Sequence, residues 1–127
     1  MMRAIKPEGV AEPRAPYSSV VESDGLVFLS GQVPFDASGT LVEGGFDEQA
    51  RATFANVGRC LAAAKLGFGD VVKVNVYLAD LADFAALNRI YAEVFAPPYP
   101  ARTTVGARLL GFAIEVEAVA RRPAADA

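Results

Sequence analysis

Two segments near the C-terminus decide the fold, PYPARTTV (residues 98–105) and AIEVEAVA (residues 113–120). Both have the alternating pattern of β-strands, because successive side chains of a strand point to opposite faces of the sheet. Glu115 and Glu117 therefore share one face of the second strand, and the first strand carries Arg102. If the two strands pair, an arginine that can hold a carboxylate and a glutamate that can activate water line one small pocket. The pattern favours a site for a small organic acid.

The rest of the chain predicts an α+β protein with the order ββαβαββ. Hydrophobic residues at three- and four-residue spacing indicate the helices, and period-two alternation indicates the strands. Ser23-Asp24-Gly25 is typical of a hairpin turn, and Gly67 is typical of a helix C-cap. The predicted elements before the two C-terminal strands are strands over residues 17–21 and 26–30, a helix over 46–66, a strand over 71–78 and a helix over 82–95.

A chain of 127 residues is the size of one domain, and we predict a single domain over residues 1–127. Residues 1–15 contain two prolines and are followed by a third, Pro16, so we expect residues 1–15 to form an extended N-terminal arm and residues 123–127 a loose tail. Two amphipathic helices can cover only one face of a sheet of this size. Because the other face also carries apolar residues, we expect oligomerisation, with a site at a subunit boundary.

Composition excludes several classes of function. Without histidine, the chain has neither a Ser-His triad nor the commonest metal ligand, and a single cysteine, Cys60, excludes an internal disulfide. Twelve basic against fifteen acidic residues give a net charge of −3, with no basic cluster of the kind that binds nucleic acid. The N-terminus lacks the apolar run of a signal peptide, and no segment is long enough to span a membrane, so we expect a cytoplasmic protein.

A set of short motifs in a fixed order resembles the RidA/YjgF family over roughly residues 15–121. A single one of these motifs carries little information, whereas the ordered set with its spacing is specific. The motifs are LSGQVP (29–34), QAR (49–51), NV (56–57), GDVVK (69–73), LADF (81–84), Asn88, Tyr91, PAR (100–102) and IEVEA (114–118).

The resemblance implies a chorismate-mutase-like protomer with two helices on one face of a mixed sheet, and a homotrimer with three inter-subunit clefts. It implies a cofactor-free hydrolytic deaminase that converts reactive 2-imino or enamino acids to 2-keto acids and ammonia. By motif, Arg102 matches the residue that grips the substrate carboxylate, and Glu115 matches the residue that positions water. The residues that match cleft-lining positions are Tyr17, Ser30, Gly31 and Asn88.

The sequence departs from the family pattern at two places. The position two residues after the arginine is often cysteine in the family and is Thr104 here, where backbone contacts to substrate can persist but thiol chemistry cannot. The connection RLLGF (108–112) lacks the usual Leu-Pro and is shorter, which affects the rim of the cleft and therefore the size of the substrate.

Each candidate residue also has a purely structural interpretation. Arg102 can form an ion pair with Glu115 or Glu117, and sequence alone does not decide between that pair and a ligand site. Glu117 lies one pleat further along the strand and is expected to be structural or to face solvent. Asn88 can be a polar residue on a helix with no functional role, and Tyr17 can be a half-buried aromatic residue of a strand. Ser30-Gly31 can be a turn at the end of a strand, although glycine also permits a close approach of the backbone to a ligand.

Three functional hypotheses remain at this stage. The first is a 2-imino acid deaminase, which needs a held substrate, an activated water and a proton route to nitrogen, but no metal. The second is a hydrolase of a different enamine intermediate, and the third is a non-catalytic trimer that binds small carboxylates or acts as a chaperone. The family is also labelled as endoribonuclease. The net charge of this chain and the absence of a basic aromatic groove disfavour an RNA-cleaving function.

Overall fold

The computed structural model describes residues 1–124, in which a six-stranded mixed sheet carries two α-helices. The strand order is β1-β2-β3-β6-β4-β5, and among the strands of the described residues only β4 and β5 pair in parallel. The predicted α+β class is therefore confirmed. The elements are β1 (Arg3–Ile5), β2 (Val20–Ser23), β3 (Leu26–Gln32), α1 (Phe46–Ala63), β4 (Val71–Leu78), α2 (Phe84–Val94), β5 (Ala101–Gly106) and β6 (Ile114–Arg121).

The two C-terminal strands, whose pairing would have placed Arg102 beside the glutamates, do not pair, because β4 lies between them. Strand β5 pairs with β4 in parallel, and α2 is the crossover that such a connection requires. Strand β6 enters the sheet antiparallel to both β3 and β4. Every second residue of β6 is buried and the others up to Val119 are half-buried, as in a central strand, whereas β5 is more exposed and forms an edge.

The N-terminal region differs from the expected order in two ways. Residues 3–5 of the predicted arm form β1, which pairs antiparallel with β2, so the order is βββαβαββ. The next strand begins at Val20 rather than at Tyr17, which lies in the preceding irregular segment and is 53% exposed. The predicted hairpin is confirmed, since Asp24 and Gly25 have φ angles of 52° and 79°, which match the right-handed twist of the flanking strands.

Both helices pack their apolar stripes on the same face of the sheet. The buried core combines Phe54 and Leu61 of α1 with Leu87 and Ile90 of α2, over the core-facing residues of the strands. Helix α1 ends at Ala63, and Lys65 rather than Gly67 has a positive φ, of 61°, so the expected C-cap is wrong. Helix α2 begins after a 3₁₀ turn over Leu81–Asp83.

A β-bulge at the start of β4 changes the predicted facing of one residue. The register with β6 shifts between Val71 and Lys73, so that Val71 is buried and Val72 is 45% exposed. Strict alternation over residues 71–78 predicts Val72 on the same face as Val74. The bulge changes this, because one extra residue in a strand reverses the alternation on one side of it. From Val74 to Leu78 the predicted core face is confirmed.

The face of the sheet opposite the helices carries a cross-strand row of apolar side chains. Val21 of β2 pairs with Phe28 of β3, and Phe28 pairs with Val119 of β6. Phe28 is 41% exposed, and Val21 and Val119 are half-buried. We refer to Val21, Phe28 and Val119 as the open-face row.

Two expectations concern the ends of the chain and membranes. Of the predicted tail, residues 125–127 lie outside the described residues, and residues 123 and 124 belong to neither a helix nor a strand. Among the helices of residues 1–124, none is sufficiently long and apolar to cross a membrane.

Candidate active site

Glu115 lies on β6, directly above the backbone of Gly31 on β3. A methyl group added at Gly31 would be 2.3 Å from Glu115 Oε2 and 2.8 Å from its Cδ, which is closer than side-chain carbons approach other atoms. Glycine at this position therefore leaves room for the carboxylate. Within residues 1–124 the Glu115 carboxylate has no hydrogen-bond or ion-pair partner. Burial, and secondarily the neighbouring Glu117 carboxylate, raise the pKa of Glu115 above its ordinary value.

Four of the predicted site residues border one cleft of about 680 Å³, namely Tyr17, Ser30, Gly31 and Glu115. The Ser30 hydroxyl donates a hydrogen bond of 2.6 Å to the carbonyl oxygen of Ser18, and the Ser30 amide donates one of 2.9 Å to Ser19. These bonds attach the end of β3 to the segment that precedes β2. The cleft is thus formed where β3 meets the N-terminal segment.

Glu117 also borders this cleft but has a partner. The Tyr77 hydroxyl, on the neighbouring strand β4, donates a hydrogen bond to Glu117 Oε1. This hydrogen bond is the main reason that the pKa of Tyr77 is raised, since the bond favours the protonated hydroxyl. Of the two carboxylates on this face of β6, Glu115 is the one without a hydrogen-bond donor in the described chain.

Arg102 lies on β5 beneath α2. Its Nη2 donates a 2.7 Å hydrogen bond to Asn88 Oδ1, and its guanidinium carbon is 4.7 Å from the ring centroid of Tyr91 and 5.7 Å from that of Phe84. The ion pairs of residues 1–124 do not include Arg102, so the structural alternative of a pair with Glu115 or Glu117 is wrong for the protomer. Aromatic faces and one amide oxygen orient the guanidinium without neutralising it.

Within residues 1–124, the buried hydroxyl groups that have no hydrogen-bond partner include Tyr91 Oη and Thr104 Oγ1, and Thr104 lies two residues from Arg102 on β5. Burial raises the pKa of Tyr91, and the Arg102 charge partly opposes that change. The motif set includes Tyr91, but the resemblance assigned it no role in the site. Its spacing of three residues from Asn88 was the available signal, since residues three apart lie on the same side of a helix.

Arg102 and Glu115 lie on opposite faces of the sheet. Arg102 is the register partner of Val74, and Glu115 is the register partner of Tyr77 on the same strand β4. Residues an odd number of positions apart point to opposite faces, and Val74 is buried beneath the helices whereas Tyr77 is on the open face. One protomer therefore does not place the arginine and the glutamate in one pocket.

Other candidate chemistry in the protomer is limited. Cys60 is fully buried, and burial raises the pKa of its thiol to about 12, as expected of a small core residue rather than a nucleophile. Among residues 1–124, no three His, Cys, Asp or Glu side chains are grouped in a way that could hold a metal ion.

Comparison with known proteins identifies the family. The profile of the family described as Endoribonuclease L-PSP matches residues 9–122. The chain belongs to the Endoribonuclease L-PSP family. This is the RidA/YjgF family that the sequence motifs indicated, so that resemblance is confirmed.

Family members with different names resemble the chain. A RutC family protein of Pyrococcus horikoshii is 38% identical over 123 residues, which cover 94% of this chain and 98% of that protein. The human protein named 2-iminobutanoate/2-iminopropanoate deaminase is 44% identical over 108 residues, which cover 83% of this chain and 79% of that protein. The crystal structure of RidA from an Antarctic Psychrobacter superposes with a TM-score of 0.88 at 34% identity, covering 94% of this chain and 98% of that one.

The L-PSP family resemblance supplied seven candidate residues, and the structure divides them into two half-sites. The first half-site, on the Glu115 cleft, consists of Tyr17, Ser30, Gly31 and Glu115. The second half-site, on β5 and α2, consists of Asn88, Arg102 and Thr104. Each half-site contains one charged group without an ion-pair partner in the described chain. The motifs contain Tyr91 and Phe84, which lie beneath the arginine, but assigned neither a role in the site, and Tyr77 beside Glu117 lies outside the motifs.

Proposed function

We propose that this protein is a cofactor-independent hydrolytic deaminase, which converts 2-imino or enamino acids to 2-keto acids and ammonia. The observation that carries the proposal is the pair of half-sites: within residues 1–124, Arg102 has no carboxylate partner and Glu115 has no hydrogen-bond donor. The name of the human relative supports this reaction class, because that protein is named a deaminase of two 2-imino acids.

The two half-sites can serve one substrate only if they come from different copies of the chain. A complete site then consists of Arg102 from one protomer and Glu115 from its neighbour. We propose a homotrimer with three such sites, since a closed ring uses the same pair of surfaces at every boundary. The open-face row supports this assembly, because a second copy would cover apolar side chains that the helices leave exposed.

Arg102 is suited to bind the substrate carboxylate. Its guanidinium is oriented by Asn88 and by the Tyr91 ring, so little side-chain freedom is lost when a ligand binds. A charge-assisted hydrogen bond of this kind contributes about 1.5–3 kcal/mol. The position of the carboxylate then fixes the imine carbon relative to the neighbour's Glu115.

Glu115 is suited to activate water for attack on the imine. The carboxylate accepts a proton from water while the water oxygen forms a bond to the imine carbon, and the C=N electron pair moves to nitrogen, which is protonated. The resulting carbinolamine loses ammonia when the hydroxyl proton is removed and the C–O double bond forms. The balance is one imine and one water consumed, and one 2-keto acid and one ammonia released.

Complementation between two inactive variants tests the composite site. We expect Arg102→Ala and Glu115→Gln each to abolish most turnover of an imine generated in situ. When the two variants are mixed and their subunits exchanged, about a quarter of the sites should regain both wild-type residues and activity should return to about that fraction. No recovery, in mixed trimers confirmed by mass spectrometry, would show that the two residues do not form one inter-subunit site.

The same assay separates the deaminase from a binding protein. If the wild type fails to accelerate imine hydrolysis but binds 2-keto acids through Arg102, the proposal of catalysis fails and the non-catalytic carboxylate-binding trimer is favoured. Binding of RNA or of membranes is not part of the proposed function. A cytoplasmic location stays a prediction.

A further inference from the structure

The Glu115 cleft has an aromatic wall that the proposed reaction does not use. Phe35 and Phe112 pack edge to face, with ring centroids 5.6 Å apart and planes at 86°, and both line the cleft. Phe112 is 9% exposed and Phe35 is half-buried. Leu110 lies at the rim with 93% of its surface exposed, although it lines the same cleft. An apolar surface therefore continues from the carboxylate to the solvent.

Asn56, on α1, holds this wall from behind. Its Nδ2 donates hydrogen bonds of 2.9 Å to the carbonyl oxygens of Val33 and Phe35, and its Oδ1 accepts one of 2.9 Å from Arg59 Nη1. Asn56 is 3% exposed, and all of its donors and its acceptor are used. The backbone of Phe35 is thus fixed to the helix before any ligand binds. A preformed wall binds a ligand without first being ordered.

The charges around the cleft disfavour a second anionic group on the ligand. Glu12, Glu115 and Glu117 line the cleft, and Arg14 is its single cationic lining residue in the described chain. Lys6 forms an ion pair with Glu12 at the outer edge. A substrate side chain with its own carboxylate would meet net negative charge here, whereas an apolar side chain would bury surface against the two rings.

We propose that this cleft selects 2-imino acids with a large apolar side chain, which lies against Phe35 and Phe112 while Glu115 acts at the imine carbon. The inference rests on the proposed function and adds the substrate class to it. The cleft volume of about 680 Å³ is larger than a methyl or ethyl side chain requires. Phe35 is the specificity-determining residue of this assignment, and Leu110 extends the apolar surface at the rim.

A panel of four imines tests the substrate class. The 2-imino acids derived from alanine, leucine, phenylalanine and glutamate are generated in situ by an amino-acid oxidase, and kcat/KM is measured for each with the wild-type trimer. We expect the leucine and phenylalanine derivatives to exceed the alanine derivative by at least about tenfold, because each additional methylene in an apolar pocket contributes a selectivity of that order. Preference for the alanine derivative would overturn the inference. Preference for the glutamate derivative would also overturn it, and would indicate that Arg14 binds the side chain of the substrate.

Variants of the wall localise the preference. We expect Phe35→Ala to lower the leucine-to-alanine ratio of kcat/KM by about tenfold, and Phe35→Leu to restore part of it. Leu110→Ser changes an exposed residue and should also lower the ratio without disturbing the fold. Leu81→Ser is the matched control, because Leu81 is 58% exposed and does not line the cleft. An unchanged ratio in both Phe35→Ala and Leu110→Ser would overturn the assignment.

Binding of the keto-acid products separates failure of the inference from failure of the proposed function. Calorimetry is performed with 4-methyl-2-oxopentanoate and with pyruvate. Tighter binding of the larger acid, lost in Phe35→Ala, supports the apolar cleft even if no imine is turned over, in which case the proposed catalysis alone fails. Equal binding of the two acids, together with turnover of the alanine derivative, would overturn the inference and leave the deaminase intact.

Discussion

At Glu115 a single carboxylate combines the functional role that we propose with a destabilising effect on the fold. Burial raises its pKa, and the nearby Glu117 adds to that effect, so the ionised form is disfavoured in the folded protein. In the described chain no donor compensates the charge. A raised pKa in a cleft is typical of groups that exchange protons in catalysis, because such a group accepts a proton more readily at neutral pH.

The first prediction concerns Glu115→Gln. We expect kcat to fall by roughly 10²–10⁴-fold with little change in product affinity, because the amide keeps the shape but cannot accept the proton. We also expect a higher Tm at pH 7. The stabilising contribution of a carboxyl with a raised folded pKa is present below the unfolded pKa and is lost as pH rises through the folded pKa. The Tm difference between variant and wild type should therefore grow with pH from about 4 upward, which thermal unfolding at several pH values measures.

Glu117→Gln is the matched control, since Glu117 faces the same cleft one pleat away but accepts the hydrogen bond of Tyr77. Its effect on kcat should be much smaller. If Glu117→Gln lowers kcat more than Glu115→Gln does, then Glu117 is the base, and the family motif assigned this role to the wrong glutamate of β6. Equal and small effects would show that neither carboxylate does the chemistry.

At the scale of elements, one ionic cluster fastens the end of β6 to three other segments. Arg122 donates to both oxygens of Glu22 on β2, at 2.8 and 2.9 Å, and to the carbonyl oxygen of Ala64 after α1. Arg3 of β1 donates to the same Glu22. Hydrogen bonds from Arg122, and then from Arg3, lower the pKa of Glu22 to about 2. The side chain of Glu22 is 17% exposed, so solvent screens this cluster less than it screens an open surface pair.

The second prediction is that Glu22→Gln destabilises the protein in a pH-dependent way. A carboxyl with a lowered folded pKa contributes stability above its unfolded pKa and loses it as pH falls through the folded pKa. The variant should therefore unfold at lower urea concentration than wild type at pH 7, and the difference should vanish as pH falls from about 4.5 to about 2. Urea titrations across this range measure it.

Glu12→Gln is the control for Glu22→Gln, because Glu12 and Lys6 form an ion pair with both side chains more than 70% exposed. Such exposed pairs contribute little to stability. A loss in Glu12→Gln equal to that in Glu22→Gln, or a Glu22→Gln difference that persists at pH 2, would contradict the role given to the cluster.

The sequence predicted the elements better than it predicted their neighbours. Periodicity identified both helices, β4 and the Asp24-Gly25 hairpin, because those signals are local. Alternation also assigned the faces of β5 and β6, but a face does not specify which strand lies alongside, and β4 separates the two. Strand β1 was not predicted, because a strand of three residues is too short to show alternation. The bulge at Val72, which turns that side chain to the other face of the sheet, was not predicted either, because the hydrophobic pattern does not reveal an inserted residue.

The sequence predicted which residues belong to the site, but not where these residues lie relative to one another. The family motifs supplied Arg102 and Glu115, and composition excluded the chemistries that need histidine. That the two residues face away from each other follows from the odd spacing of their partners on β4, which only the register of the sheet reveals. The motifs included Tyr91 but gave it no role, because a ring that packs in the core and a ring that supports a guanidinium follow the same helical stripe.

At the scale of the whole molecule, the uncovered face of the sheet and the divided site both favour contact with a second copy of the chain. The helices cover one side of the sheet, and the open-face row leaves Phe28 exposed between two further apolar residues on the other. The half-site with Glu115 is on that open side, and the half-site with Arg102 is at the edge strand β5 beneath α2. A neighbour that brings its edge strand to this side would bury the row and complete the site together.

The third prediction is a homotrimer that Phe28→Lys disrupts. A lysine in the open-face row would place a charge in an apolar interface without a partner, which costs several kcal/mol and favours separation of the subunits. We expect sedimentation at micromolar concentration to give a trimer for wild type and a folded monomer without imine turnover for the variant. Ala55→Lys is the control, since Ala55 is exposed on α1, on the far side of the sheet, and its variant should stay trimeric and active. A wild-type monomer, or a Phe28→Lys monomer with full turnover, would contradict the inter-subunit site, because one protomer holds its arginine and its glutamate on opposite faces.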